Sequence, residues 1–288
     1  MRTAVLLSLL LASPAAADTI AIRAGRVITD AAKPALGPST IIVTDGRITA
    51  IQPASAAIPA GAQVIDQSAR TLSPGLIDAH VHLTSDPGKP FWRRAIDSAE
   101  LSVATGLKNA RLTVRAGFTT VRDLGSARLA GFAVRDAINS GLFPGPRVLA
   151  AGSSLAIIGG HGDVSGFSPA VNDALDQGNT CTGAVECAAR VREASQRGAD
   201  VIKFTATGGV LSQQGRGLDQ HFTDEEMRAL VTTAHSLGLK VAAHAHGPRG
   251  IEAAARAGVD SVEHGSFTDE AGAKALAATG GWLVPTLL

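Results

Sequence analysis

Two imidazoles two residues apart, in Asp78-Ala-His80-Val-His82, are the first residues of this chain that could do chemistry together. On extended backbone a spacing of two sends both side chains to one side. One divalent ion can then take both nitrogens, and imidazole suits zinc or a similar metal. Alone, such a pair is ordinarily two surface histidines, but others accompany it. His244, in Val-Ala-Ala-His-Ala-His-Gly, and His264, in Ser-Val-Glu-His-Gly-Ser, each end an apolar run. Lys203, in Ala-Asp-Val-Ile-Lys-Phe, lies inside one, where an unpaired ammonium is costly. Two readings of Lys203 are open. Either a carboxylate partners it, or it is modified to a carbamate, an anionic ligand able to bridge two metals.

The elements that must position these groups follow from the texture of the sequence. From Pro74-Gly75 onward, short apolar runs alternate with Ala-rich helical stretches, the pattern of repeated βα units with parallel strands. Strands are expected at Gly75 to Asp78, Thr119 to Arg122, Arg147 to Ala151, Val201 to Phe204, Lys240 to Ala243, Ser261 to Glu263 and Trp282 to Pro285. Helices are expected between them, for example at Asp224 to Leu237 and Gly250 to Ala257. Repeated strands of one type predict a (β/α) barrel, and no Gly-x-Gly-x-x-Gly opens a helix after the first strand. The reactive residues fall at successive strand ends: His80 and His82, Arg122 and Asp123, His161, Lys203, His244 and His246, then His264. In a barrel these ends share one face, where catalytic loops gather. Residues 18–73 read instead as a small antiparallel β unit, with Asp45-Gly46 set for a two-residue hairpin between Ser39 to Thr44 and Arg47 to Ile51.

Composition narrows the function. The chain carries 26 Lys and Arg against 25 Asp and Glu, a net charge of +1, which gives no electrostatic footprint for nucleic acid or an anionic membrane. Aromatics are 3% with no Tyr, so base-stacking platforms are not expected and the core must be built of Ala, Val, Leu and Ile. Arg2, the apolar run Ala4 to Ala12 and the tripeptide Ala15-Ala16-Ala17 have the order of a secretory signal. Residues 1–17 are therefore expected to be removed, with a secreted or periplasmic mature chain that contains no membrane span. In that compartment Cys181 and Cys187 are candidates for a local disulfide, the other reading being one buried and one exposed thiol.

Six segments together resemble the amidohydrolase superfamily. They are Pro74-Gly-Leu-Ile-Asp-Ala-His-Val-His82, Gly117-Phe-Thr-Thr-Val-Arg-Asp123, Gly159-Gly-His-Gly-Asp163, Ile202-Lys-Phe-Thr-Ala-Thr-Gly-Gly-Val-Leu-Ser212, Ala243-His-Ala-His-Gly247 and Val262-Glu-His-Gly-Ser266. Within it, the chain is similar to the Xaa-Pro and Xaa-Arg dipeptidase, or imidazolonepropionase-like, branch. The resemblance implies a TIM-like (β/α)8 barrel over 74–288, preceded by a small β-sandwich portion over 18–73. It implies two divalent ions, commonly zinc: His80 and His82 on one, His244 and His264 on the other, carboxylated Lys203 between them. His161 and His246 would face a small-molecule or dipeptide substrate, whose amide a metal-activated hydroxide attacks.

Relatives also carry an Asp at the end of strand eight as proton shuttle. Here the acids after His264 are Asp269 and Glu270, at the start of a helical stretch, so a barrel lacking strand eight, and a fragment of a longer enzyme, is expected. A mononuclear cyclic amidohydrolase or deaminase, and a metal-binding fragment without turnover, are the alternatives; a homo-oligomer is left open. Of the remaining polar residues, Arg122 and Asp123 have two readings, substrate binding or, the preferred one, an ion pair that holds the second strand. Ser212 and Gln213 either border the pocket or do nothing, while His221 and His235 are expected in solvent.

Overall fold

The computed structural model describes residues 18–210 and 217–286, the side chain of Phe91 excepted. The expected signal and the Ser212-Gln213 turn lie outside the described residues. The chain divides into two units, at Pro74 and Gly75.

In the first unit, β1 (Thr19–Val27), β2 (Ser39–Thr44), β3 (Arg47–Pro53) and β4 (Gln63–Leu72) form one sheet in the order β3-β2-β1-β4. Asp45 and Gly46 both take positive φ, 49° and 73°, the twist that a two-residue hairpin between β2 and β3 demands. The unit departs from expectation in two ways. It is a single sheet rather than a sandwich among the described residues, and it is mixed, because β4 pairs with β1 in parallel. That pairing is non-local, and no turn signal in the sequence encodes it. The register shifts between Ala24 and Arg26. Gly25 occupies the irregularity, where a Cβ would come within 2.2 Å of the Ser68 carbonyl oxygen. Ala24, Val27 and Ile41 make its small core.

The second unit alternates parallel strands with helices. Its strands are β5 (Leu76–Val81), β6 (Phe118–Asp123), β7 (Arg147–Ala150), β8 (Val201–Thr205), β9 (Lys240–Ala245), β10 (Ser261–His264) and β11 (Trp282–Val284). Its helices are α1 (Ala99–Arg115), α2 (Ala130–Asn139), α3 (Pro169–Leu175), α4 (Gly183–Gln196), α5 (Asp224–Ser236), α6 (Pro248–Ala257) and α7 (Glu270–Thr279). The sheets β5-β6-β7 and β8-β9-β10-β11 are joined by a parallel bridge from Leu155 to Phe204. Among the described residues β5 and β11 each have one strand neighbour, so the barrel is not closed.

Local signals set the helix ends. Thr223 and Glu226 form a reciprocal capping box on α5, Pro248 opens α6, and Gly258 closes it at φ 92°. Asp269, one of the late acids, is spent capping α7 through the Gly272 amide. Strand alternation then sorts the side chains. Ile202 and Phe204 join the large core under the helices, whereas Val201 and Ala242 pack with Leu124 and Ala151 in a separate inner cluster. Lys203 and His244 share the faces of Val201 and Ala242 by period two, so β8 and β9 aim them inward. Among the described residues no helix is long and apolar enough to cross a membrane.

Candidate metal centre

His80, on β5, and His82, just after it, bring their Nε2 atoms to 3.3 Å from one another. The other ring nitrogens settle what this contact is. Nδ1 of His80 lies 2.8 Å from a Glu263 carboxylate oxygen, and Nδ1 of His82 lies 2.8 Å from the Gly125 carbonyl. Both partners only accept, so both Nδ1 atoms carry the proton. Burial pushes both imidazoles below their ordinary pKa, His82 to about 4, which keeps them neutral. Two bare Nε2 lone pairs therefore face each other, a repulsive arrangement unless a cation lies between them. Two nitrogens each about 2.0–2.1 Å from a tetrahedral ion sit about 3.3 Å apart, and the observed separation fits that donor geometry.

The remaining histidines continue the cluster. His264 would point away from Glu263 by strand alternation, but its φ of 71° breaks the alternation. Its ring instead lies 4.9 Å from that of His80 and 4.7 Å from that of His244. The Thr286 hydroxyl donates to the Pro285 carbonyl and so accepts from His264 Nδ1 at 2.7 Å, leaving Nε2 bare. His244 contacts the Gly208 carbonyl through Nε2 at 3.3 Å, leaving Nδ1 bare. His244, His246 and His264 each offer a nitrogen within 4.8 Å of the others, a group able to hold a metal ion. His246, placed by sequence against substrate, thus stands among the ligand-capable donors, its Nδ1 at 2.8 Å from Ser266 Oγ. His161 stacks on His244 at 4.2 Å and 26°. Burial lowers His161 to about 4 and His264 to about 3.

Lys203 lies amid them, 3% exposed. Burial pushes its amine down to about 8, and its charge in turn lowers the pKa of His80, His82, His161, His244 and His264. At about 8 the amine is still mostly protonated at neutral pH, but its neutral fraction, the form that reacts as a nucleophile, is far larger than that of an ordinary lysine.

Imidazole donors clustered at parallel strand ends are what these residues build, and residues 71–288 match the Amidohydrolase family. The chain belongs to the amidohydrolase family. The chain is 32% identical over 283 residues to the ochratoxinase of Aspergillus niger, an alignment covering 91% of this chain and 57% of that protein. Its fold is similar to that of a Xaa-Pro dipeptidase with methionine bound in the active site, at TM-score 0.85 and 35% identity, covering 93% of this chain and 67% of that one. A prolidase complexed with N-methylphosphonate-L-proline gives TM-score 0.81 and 30% identity, with 93% and 66% covered. The chain spans little more than half the length of the ochratoxinase.

Other residues fall partly where sequence put them and partly elsewhere. Arg122 does not pair with Asp123, because adjacent strand residues face opposite sides. Its guanidinium reaches Glu263 at 2.7 Å, the Ser261 hydroxyl at 3.1 Å and the Ala79 carbonyl at 2.7 Å. Asp123 accepts instead from the amides of Leu83 and Gly125, and burial raises its carboxyl to about 6. His221 is not in solvent: its ring nitrogens are buried, and Cβ atoms at Gly160 or Gly208 would meet them at 3.4 Å. His235 is half-exposed and pairs with Asp260 at 2.9 Å. Cys181 and Cys187 form a disulfide with Cα atoms 5.0 Å apart.

Sequence reasoning missed Glu263 altogether. It is fully buried, and although burial opposes its charge, the bond to His80 and the charge of Arg122 hold it below the usual carboxylate range. An acid inside the apolar run before His264 was the available signal. Gly125 and Gly209 were missed too. A Cβ on Gly209 would lie 2.3 Å from the His161 ring, and one on Gly125 would lie 2.9 Å from that of His82.

Proposed function

We propose that this amidohydrolase cleaves a peptide-like amide of a small substrate, using two divalent metal ions, zinc being the reading preferred. The observation that carries the proposal is the pair of bare Nε2 atoms of His80 and His82, 3.3 Å apart, with both Nδ1 protons fixed from outside. His80 and His82 would hold one ion, and His244 and His264 the other, with His246 within reach of the same site. Lys203 would lie between them as a carbamate: its neutral amine adds to the carbon of CO2 and releases one proton. When bound, such ions acidify water and polarise a carbonyl.

The protein's own groups do the rest. Glu263 fixes His80, and the Gly125 carbonyl fixes His82, so the donors keep their tautomers through turnover. His161, stacked on His244, forms a wall on which a substrate carboxylate or carbonyl can dock. Asp123 and Glu263, the buried acids of this cluster, are spent on backbone amides and on Arg122, so the proton shuttle is neither of them. A dipeptide substrate is supported by the dipeptidase and prolidase likeness. An exported protein is supported by the disulfide, since such bonds persist in oxidising compartments.

The test is a panel of dipeptides and lactams offered to the zinc-loaded protein, with amine release measured. Hydrolysis of dipeptides is the expected result. Turnover of lactams alone, with one metal per chain, would favour a mononuclear cyclic amidohydrolase. No hydrolysis of any amide by a metal-loaded protein that also carries the proton-shuttle Asp of its relatives contradicts the enzymatic reading.

A further inference from the structure

The segment that carries His161 follows β7 and contains Gly159, Gly160 and Gly162. A backbone so rich in glycine loses much entropy when fixed, yet the His161 ring must stay against His244. One side chain spans that segment. Asn179, 4% exposed, donates its amide nitrogen to the Ser154 carbonyl at 2.5 Å and to the Gly162 carbonyl at 2.9 Å. The amide has two hydrogens, so both bonds are made at once. The two acceptors bracket His161, Ser154 at the start of the segment and Gly162 as its immediate neighbour.

The backbone around Asn179 pairs with the same segment, and α4 holds it from the other side. The Ala156 amide donates to the Asn179 carbonyl, and the Cys181 amide donates to the Ala156 carbonyl, each at 3.0 Å. Arg190 of α4 donates Nε to the Thr180 carbonyl at 2.9 Å. The disulfide joins Cys181 to Cys187 in α4, where Cys187 and Val191 are fully buried. Residues 179–181 are therefore anchored to a helix of the main core on one side and grip the His161 segment on the other.

We infer that Asn179 is a positioning residue for His161, and that the Cys181–Cys187 disulfide holds Asn179 in place. Asn179 acts only through the backbone on either side of His161. The inference rests on the reading of His161 as the substrate-facing wall, and it predicts that loosening the grip harms substrate engagement while sparing the metal centre.

Two variants of the whole chain, both zinc-loaded, test it: Asn179→Asp, which turns the two donors into acceptors facing carbonyl oxygens, and the double change Cys181→Ser with Cys187→Ser. The first readout is the rate at which diethyl pyrocarbonate modifies His161, followed by peptide mass spectrometry. The second is the division of any kinetic loss between KM and kcat. Both variants are expected to keep their zinc and fold, to expose His161 to modification severalfold faster, and to lose about tenfold in kcat/KM chiefly through KM. Wild-type His161 reactivity in the folded variants would overturn the inference. So would a global loss of folding in both, which would make the grip a general structural anchor. The modification rate needs no turnover, so an inactive wild type that still shows the difference counts against the hydrolase reading alone.

Discussion

Glu263 reaches across the barrel interior from β10 to His80 on β5, with its Oε2 2.8 Å from the imidazole Nδ1. Its other oxygen takes Arg122 Nη2 at 2.7 Å and the Ser261 hydroxyl at 2.5 Å. The carboxylate is thus a fixed acceptor that decides which nitrogen of His80 bears the proton, and hence which nitrogen is free to bind a metal.

Glu263→Gln should therefore weaken the centre without touching a ligand. Loss of such an outer partner lowers metal affinity by about 10–100-fold. It also leaves Arg122 without its counter-charge, and breaking a buried pair costs about 3–5 kcal/mol. Zinc titration against a competing chelator and thermal denaturation read the two effects. Wild-type affinity in the variant would show that Glu263 does not orient His80.

With Lys203 as the proposed carbamate, Lys203→Ala should remove that anion and with it about 100-fold or more in turnover. Because the missing group is a carboxylate in chemical terms, added acetate or propionate is expected to restore part of the activity. Activity that survives the substitution, with no response to carboxylate, would argue that Lys203 remains an amine.

Legibility in the sequence tracks locality. The Asp45-Gly46 hairpin and the helix expected at Asp224 to Leu237 are read within a few residues and formed where local pattern indicated, while α6 starts at Pro248, two residues before the expected Gly250. The strand-end positions of His80, His82, His244 and His264 were equally legible, since period two and a terminating polar residue suffice. What was not legible depends on distant partners. Arg122 finds Glu263 from 141 residues away, β4 finds β1 in parallel, and His264 turns inward only because its backbone adopts φ 71°. His221 is buried by glycine segments that local pattern reads as open loop.

Acid should destabilise the metal-free protein. His82 and His161 are held at about 4 and His264 at about 3, against an ordinary 6.5. Between those values and 6.5 the unfolded chain binds more protons than the native one, so stability rises with pH there and is lost as pH falls. Asp123, raised to about 6 from 3.8, has the opposite sign between those two values, one group against these three and the likewise lowered His80, His244 and His246. The melting temperature is expected to fall from pH 6.5 toward pH 4. A flat or rising melting temperature over that interval would contradict neutral, buried imidazoles.

The most direct measurement is the zinc content of the purified chain after exhaustive dialysis in the presence of bicarbonate, by elemental mass spectrometry. A binuclear centre held by His80, His82, Lys203, His244 and His264 predicts two zinc ions per chain, falling to at most one in Lys203→Ala. One zinc ion per chain or fewer in the folded wild-type protein would contradict it.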